Sequence, residues 1–196
     1  MKRILSMVLM ALFICLFLPS AYAESNTEPD FKTFYWGDAQ TIVEKSNGTP
    51  DYTGVMNTQV ANYIAYDVSL LGMDAILVYY FCDDGLFSVR YMFQEEHSNE
   101  DAYIDDYQTV KSALDKKYGT TLLEGENWSN DDKKEYYANE KGKAVLYGFL
   151  EYYAYYLNDR TEVDLTMNSD NYDISLAINY ISNDIKPAEK DFSGDL

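Results

Sequence analysis

The sequence predicts an α+β fold: two tandem α-β-β-β units forming one antiparallel sheet with helices on one face. Three observations carry this reading. A mid-chain segment places Tyr103, Tyr107, Val110, Leu114 and Tyr118 at helical spacing, so that they form one apolar stripe. Three strand-like runs precede this helix and three follow it, each trio divided by tight-turn residues. The two trios also align without a gap at one offset, which sets Tyr66 on Tyr153, Leu70 on Leu157, Asp83 on Asp170 and Ser88 on Ser175.

The elements follow in chain order. Met1-Lys2-Arg3 is a basic start, Ile4 to Leu18 carries no charge, and Pro19-Ser20-Ala21-Tyr22-Ala23 ends in small residues. This is the pattern of a secretory signal peptide cleaved after Ala23. Its apolar run is shorter than the ~18 residues expected of a spanning helix. Ile14, ahead of Cys15, is bulky where lipoprotein processing wants a small residue. Residues 24–33 read as a flexible lead-in. In the first unit, residues 34–97, a short helix runs from Trp36-Gly37-Asp38 through Ile42 and Val43 to Lys45, and Asn47-Gly48-Thr49-Pro50 stops it. Strands follow at Ile64–Leu70, Asp74–Phe81 and Leu86–Gln94.

The second unit, residues 98–182, opens with the striped helix. Ser98 or Asn99 caps it, acids fill its first turns, Lys116 and Lys117 fill its last, and Gly119 ends it. A long connection, Thr120 to Lys143, leads to a Tyr-rich strand over Ala144–Leu157. Strands over Val163–Asn168 and Ile174–Ile181 complete the unit, with Val163, Leu165 and Met167 facing one way and Asp164, Thr166 and Asn168 the other. Residues 183–196 read as a loose acidic tail.

The stretch Trp36-Gly37-Asp38-Ala39-Gln40-Thr41-Ile42-Val43, followed by Asn47-Gly48-Thr49-Pro50-Asp51, resembles the helix-and-turn opening of two groups of small envelope proteins. These are the outer-membrane-assembly lipoproteins and the β-lactamase-inhibitory proteins. Residues 31–182 also look like a group of uncharacterised secreted bacterial proteins with this opening. The resemblance implies helices packed on one face of an antiparallel sheet, as a tandem duplication in the inhibitory proteins. This chain lacks the disulfide framework of that family, because removal of the leader leaves Cys82 as its one cysteine.

Composition bounds the function. The 196 residues hold 33 acids against 15 bases, a formal charge of −18, and 47% hydrophobic residues, enough for a packed core. Such acidity argues against duplex nucleic acid and anionic membrane surfaces as partners. Beyond the leader no hydrophobic run reaches membrane-spanning length, so no transmembrane segment is expected after cleavage. No cofactor and no metal site is expected: zinc would need several His or Cys ligands, and phosphate-cradling glycine motifs are absent. The acid-rich turns at Asp83-Asp84, Asn130-Asp131-Asp132 and Asp170-Asn171-Tyr172-Asp173 offer oxygen ligands for calcium, but none has EF-hand spacing.

Catalytic constellations are equally sparse, and the chain is read as not an enzyme. His97 is the sole histidine and lies at a strand-to-helix junction beside Glu95, Glu96 and Ser98. Acidic neighbours would raise the thiol pKa of Cys82 rather than activate it. Glu151 and Asp67 interrupt apolar runs, and a paired-carboxylate hydrolase is the least favoured reading.

What stands out is the tyrosine content, 20 residues. Leu77, Tyr79 and Phe81 lie on the opposite parity from Ile76, Val78 and Tyr80, so both faces of that strand are apolar. Tyr152 and Tyr156 lie on one side of a single strand, with Tyr153 and Tyr155 on the other. Core packing accounts for such rings, and so does a docking face. The candidate interaction surface is Leu77, Tyr79, Phe81, Tyr152 and Tyr156, with Trp128 as an anchor. An unidentified protein is the expected partner, in an inhibitor-like or envelope-associated role. A glycan or cell-wall polymer is the alternative.

Overall fold

The computed structural model describes residues 28–56 and 60–188; the leader, residues 24–27 of the lead-in and residues 189–196 of the tail lie outside the described residues. Its elements are α1 (Gln40–Asn47), β1 (Tyr52–Val55), β2 (Asn62–Leu70), β3 (Met73–Cys82), β4 (Gly85–Phe93), α2 (Asp101–Tyr118), β5 (Leu123–Trp128), α3 (Asp131–Tyr136), α4 (Lys141–Leu146), β6 (Leu150–Leu157), β7 (Thr161–Asp170) and β8 (Asp173–Ser182). All eight strands join one antiparallel sheet in the order β1-β2-β3-β4-β8-β7-β6-β5. The fold is therefore α+β, with two halves of like strand order meeting at β4 and β8 and helices packed on one face.

Two of the expected boundaries are corrected. Ala144–Leu157 is not one strand: Lys141–Leu146 is helical, and β6 begins only at Leu150. Ala144 and Val145 are fully buried, and a helical turn buries such a neighbouring pair against the sheet below it. Each half also carries an additional edge strand, β1 and β5, which are short, largely exposed and without alternation. Part of the tail is ordered: Asn183 N–H donates to the Arg160 carbonyl at 3.0 Å, and Val60 N–H donates to the Ala188 carbonyl at 2.9 Å.

Hairpin geometry explains why a single offset misaligns the halves. Cys82 pairs with Gly85 and Phe81 with Leu86, but Tyr80 then pairs with Ser88, leaving Phe87 as an extra residue in a β-bulge. The β7–β8 hairpin runs from Asp170↔Asp173 to Thr161↔Ser182 without such an insertion. Residues equivalent by pairing are therefore Ile64 and Tyr152, Leu77 and Leu165, and Leu86 and Ile174. Beyond the bulge the spacing shrinks by one, so that Val89 matches Leu176 and Tyr91 matches Ile178. The ungapped alignment is right for most of β4 and β8, but one residue out in β2 and β3. A one-residue slip turns every side chain of a strand to the other face.

The helix-covered face is the core. Val43 of α1, Tyr107, Val110 and Leu114 of α2 and Ala144 and Val145 of α4 pack on Ile64, Leu77, Tyr79, Val89, Ile178, Leu165 and Tyr156. The N-terminal segment closes the same face. Phe31 lies edge-on to Tyr79 and Tyr180, at 6.0 and 4.9 Å between ring centroids. The Trp36 indole N–H donates to Thr161 Oγ1 at 3.0 Å, and Asp30 accepts from Trp36 N–H while pairing with Arg160 at 3.1 Å. Residues at the start of the chain are thereby fastened to β7 of the second half.

The Trp36-Gly37-Asp38 opening imposes a steric requirement on Gly85. Gly37 N–H donates to Leu86 O and Leu86 N–H donates to Asp38 O, each at 2.9 Å, so this segment runs against the start of β4. A Cβ on Gly85 would lie 2.2 Å from the Gly37 carbonyl oxygen, and Gly85 has φ +94°. Gly85→Ala is expected to cost at least about 2–3 kcal/mol, from left-handed strain plus overlap with fixed backbone. Gly72→Ala shares the strain (φ +86°) but meets nothing within 4 Å, and should cost only about 1 kcal/mol. Urea unfolding of both variants checks the contrast.

Candidate interaction surface

The five residues expected to form the docking face are in the core. Leu77, Tyr79 and Phe81 are 2, 0 and 3% exposed, and Tyr152 and Tyr156 are 7 and 2% exposed. Phe34 and Tyr66 pack edge-on against the Tyr79 ring at 5.7 and 6.0 Å. Its hydroxyl accepts from Asn47 Nδ2 at 3.3 Å, and burial pushes its pKa up to about 12. The Tyr156 hydroxyl donates to Asp115 of α2 at 2.8 Å. Trp128 is half-buried at the outer edge, packs against the same core, and donates from its indole to Glu126 at 3.1 Å. Leu77, Tyr79, Phe81 and Tyr156 cannot meet a partner without opening the fold, and Tyr152 reaches only the wall of a cavity beside Lys111, Glu124 and Glu126.

The opposite face carries the complementary set. Pairing brings Tyr63, Tyr80 and Phe87 together on one flank, with ring centroids 6.2 Å (Tyr63–Tyr80) and 6.3 Å (Tyr80–Phe87) apart. Tyr153 and Tyr155 form a second ring pair, 5.8 Å apart, on the other flank. At both edges a tyrosine lies over a glycine: a Cβ on Gly54 would meet the Tyr63 ring at 2.6 Å, and one on Gly125 would meet the Tyr153 hydroxyl at 2.9 Å. Those glycines let the rings lie flat along the sheet.

Between the flanks runs one cross-strand row, Val78↔Arg90↔Asn179↔Asp164↔Tyr155. Its polar members are incompletely satisfied. Arg90 Nε and Asp164 Oδ1 are both buried, and neither has a hydrogen-bond partner among the described residues. With neighbouring strands about 4.8 Å apart, the two residues stand roughly 10 Å apart across Asn179. Loss of solvation, reinforced by the charge of Glu162, pushes the Asp164 carboxyl up to about 6. Beside Arg90 lies a cavity of about 310 Å³ walled by Tyr80, Phe87, Ser88, Ile181 and the tail residues Lys186 and Pro187. A face of this kind offers flat apolar contact at two places and paired donors and acceptors between them.

The remaining sequence candidates have structural surroundings. His97 Nε2 lies 2.6 Å from Asp106 Oδ2, its ring stands edge-on to Tyr103 at 4.7 Å, and its N–H donates to the Tyr103 hydroxyl. These contacts fasten the β4–α2 connection to the first turns of α2. Cys82 is half-buried, with its sulfur 3.7 Å from the Gly85 carbonyl. Glu151 lies on the open face and accepts from Asn127 and Asn168 at 3.3 and 3.4 Å. Asp67 accepts from the Tyr52 hydroxyl. Among the described residues no three His, Cys, Asp or Glu side chains are grouped so as to hold a metal ion, and no helix is long and apolar enough to cross a membrane.

Sequence reasoning missed Arg90, Asn179, Tyr153 and Tyr155 as surface residues. A usable signal existed: Asp164 and Thr166 were legible as outward-facing, and antiparallel pairing places Tyr155 and Tyr153 directly opposite them. Comparison of the chain with protein-family models, curated proteins and solved structures gave no significant match.

Asp164 has a measurable signature. Its carboxyl titrates higher in the folded chain than the 3.8 of an unperturbed aspartate, so the folded state holds the extra proton between about pH 4 and 6. Stability should fall as pH rises through that window. Asp164→Asn should remove that part of the fall and gain on the order of 1 kcal/mol at pH 7, after allowance for solvent screening. Thermal melts of both proteins from pH 4 to 7 check this.

Proposed function

We propose that this chain is a secreted, non-enzymatic bacterial protein-interaction module, inhibitor-like or envelope-associated, that docks a protein partner on the open face of its sheet. The observation that carries the reading is the open-face row itself: Arg90 Nε and Asp164 Oδ1, each without a hydrogen-bond partner among the described residues, between two groups of aromatic rings. Leaving both groups buried and unpaired costs free energy that a partner presenting an acceptor and a basic donor would recover. The half-buried rings of Tyr63 and Tyr80 on one side and of Tyr153 and Tyr155 on the other add contact area at low entropic cost, with buried Phe87 backing Tyr80. The formal charge of −18 favours a basic partner and speeds the encounter.

The leader, with its charge-free run and small residues before Glu24, supports export. The like strand order of the halves and the helix-and-turn opening support a duplicated module akin to the β-lactamase-inhibitory and outer-membrane-assembly proteins. A second reading, binding of a glycan or wall polymer, is favoured by one feature: planar Arg, Asn and Asp groups lie in a line between ring pairs, suited to sugar hydroxyls.

A photo-reactive phenylalanine analogue placed at Tyr80, at Tyr155 and, as a control, at Tyr136 of α3 on the exposed surface tests the proposal in the producing cell. One defined protein adduct is expected from positions 80 and 155 and not from 136, with yield reduced about tenfold by Arg90→Ala combined with Asp164→Ala. Equal adducts from all three positions would overturn it. Absence of any adduct, with retardation of the pure protein in glycan-containing gels, would replace it with the second reading.

A further inference from the structure

The helix-covered face holds a cleft that the docking surface does not use. It lies over the midline of the sheet, between the N-terminal segment, the β2–β3 turn and α2, and encloses about 200 Å³. Leu70, Leu71, Val110, Leu114, Tyr91 and Tyr180 supply apolar walls. The two charged residues that line it are both basic: Lys32 from the N-terminal segment and Lys117 from the last turn of α2.

The lysines are held at this cleft by rings. The Lys32 ammonium lies 5.7 Å from the centroids of both Phe31 and Tyr91. Lys117 lies 4.8 Å from Tyr118 and 5.7 Å from Tyr180. Neither forms an ion pair among the described residues, although acids outnumber bases 33 to 15 in this chain. Other lysines near α2 and α4 do pair, as Lys111 does with Asp115 and Glu124, and Lys141 with Glu126. Partial burial lowers the pKa of Lys32, the direction expected for a cation that lacks a counter-ion where it sits. The Tyr91 hydroxyl, kept protonated by burial, makes no hydrogen bond to any described residue.

We propose that this cleft binds a small carboxylate with an apolar body. The carboxylate pairs with Lys32 and Lys117, and the apolar body rests against Val110, Leu114 and Leu70. An apolar cavity of about 150 Å³ accepts benzene, so this one accepts a ring with a short linker or an acyl chain of similar bulk. It falls below the volume of pockets for drug-sized ligands, which excludes extended lipids and polymers. The charge of the lining selects anions over cations and over neutral molecules of equal shape.

The probe is 3-phenylpropionate, titrated into the exported chain and followed by amide NMR shifts, with 3-phenylpropan-1-ol as the uncharged analogue. Saturable shifts are expected at Leu71, Ala113 and Lys117, with affinity at least about tenfold above that for the alcohol. Lys32→Gln combined with Lys117→Gln, at exposed positions where such ring contacts contribute only weakly to stability, should weaken carboxylate binding at least about tenfold while the protein stays folded by amide NMR. Ala113→Trp, which puts a large ring into the cleft one helical turn before Lys117, should abolish it. No saturation up to about 10 mM, equal affinity for acid and alcohol, or undiminished binding by the double lysine variant would each overturn the proposal.

Discussion

Everything in this molecule depends on the pairing of β4 with β8. Five residue pairs, from Ser88↔Ile181 to Met92↔Ala177, join two four-stranded halves into one sheet, and Ser88 Oγ adds a 3.0 Å hydrogen bond to the Tyr180 carbonyl. Without that seam each half would expose the backbone edge of its innermost strand, a template for aggregation. With it, Val89 and Tyr91 of one half lie beside Tyr180 and Ile178 of the other, and the two apolar faces become one. The N-terminal segment then crosses the seam on the core side. Phe31 packs on rings from β3, β4 and β8, and Asp30 and Trp36 hold Arg160, just before β7, and Thr161 at its start.

A continuous sheet with helices on one side has two unlike faces, and their chemistry follows from that asymmetry. On the core side tyrosines serve as bulk: burial raises the pKa of Tyr79, Tyr91, Tyr107, Tyr152, Tyr156 and Tyr180, and hydroxyls among them bond across elements, as Tyr156 does to Asp115 of α2. On the open side tyrosines lie flat over edge glycines and flank a polar row. Also on the core side, the cleft at Lys32 and Lys117 joins an apolar lining to two cations that form no ion pair among the described residues. One residue type, a tenth of the chain, is thus used both as filling and as surface.

Much of the fold was legible because local and global signals agree. The stripe from Tyr103 to Tyr118 is α2, and the alternation in Val163–Met167 and Ile174–Tyr180 gives the correct inward sides of β7 and β8. The candidate interaction surface was not legible, for a specific reason. Both parities of β3 are apolar, so its sequence alone does not say which side faces the core. A single offset between the trios sets Leu77 against the outward-facing Asp164 and is one residue out there, because the bulge at Phe87 inserts its extra residue between β3 and most of β4. Edge strands β1 and β5 escaped notice because they bury little and alternate little. Arg90, Asn179 and Asp164 became a group only once β8 was seen between β4 and β7, a non-local fact that no spacing along the chain encodes.

Native-state hydrogen exchange across β4 and β8 tests the central claim most directly. If the seam makes one cooperative sheet, the bonded amides of residues 88–92 and 177–181 should exchange only through global unfolding, with the free energy measured by denaturant and the same denaturant sensitivity. Exchange of these amides at markedly lower free energy, while the β2–β3 and β6–β7 ladders stay protected, would mean that the halves are separate folding units that merely touch. That result would contradict the account.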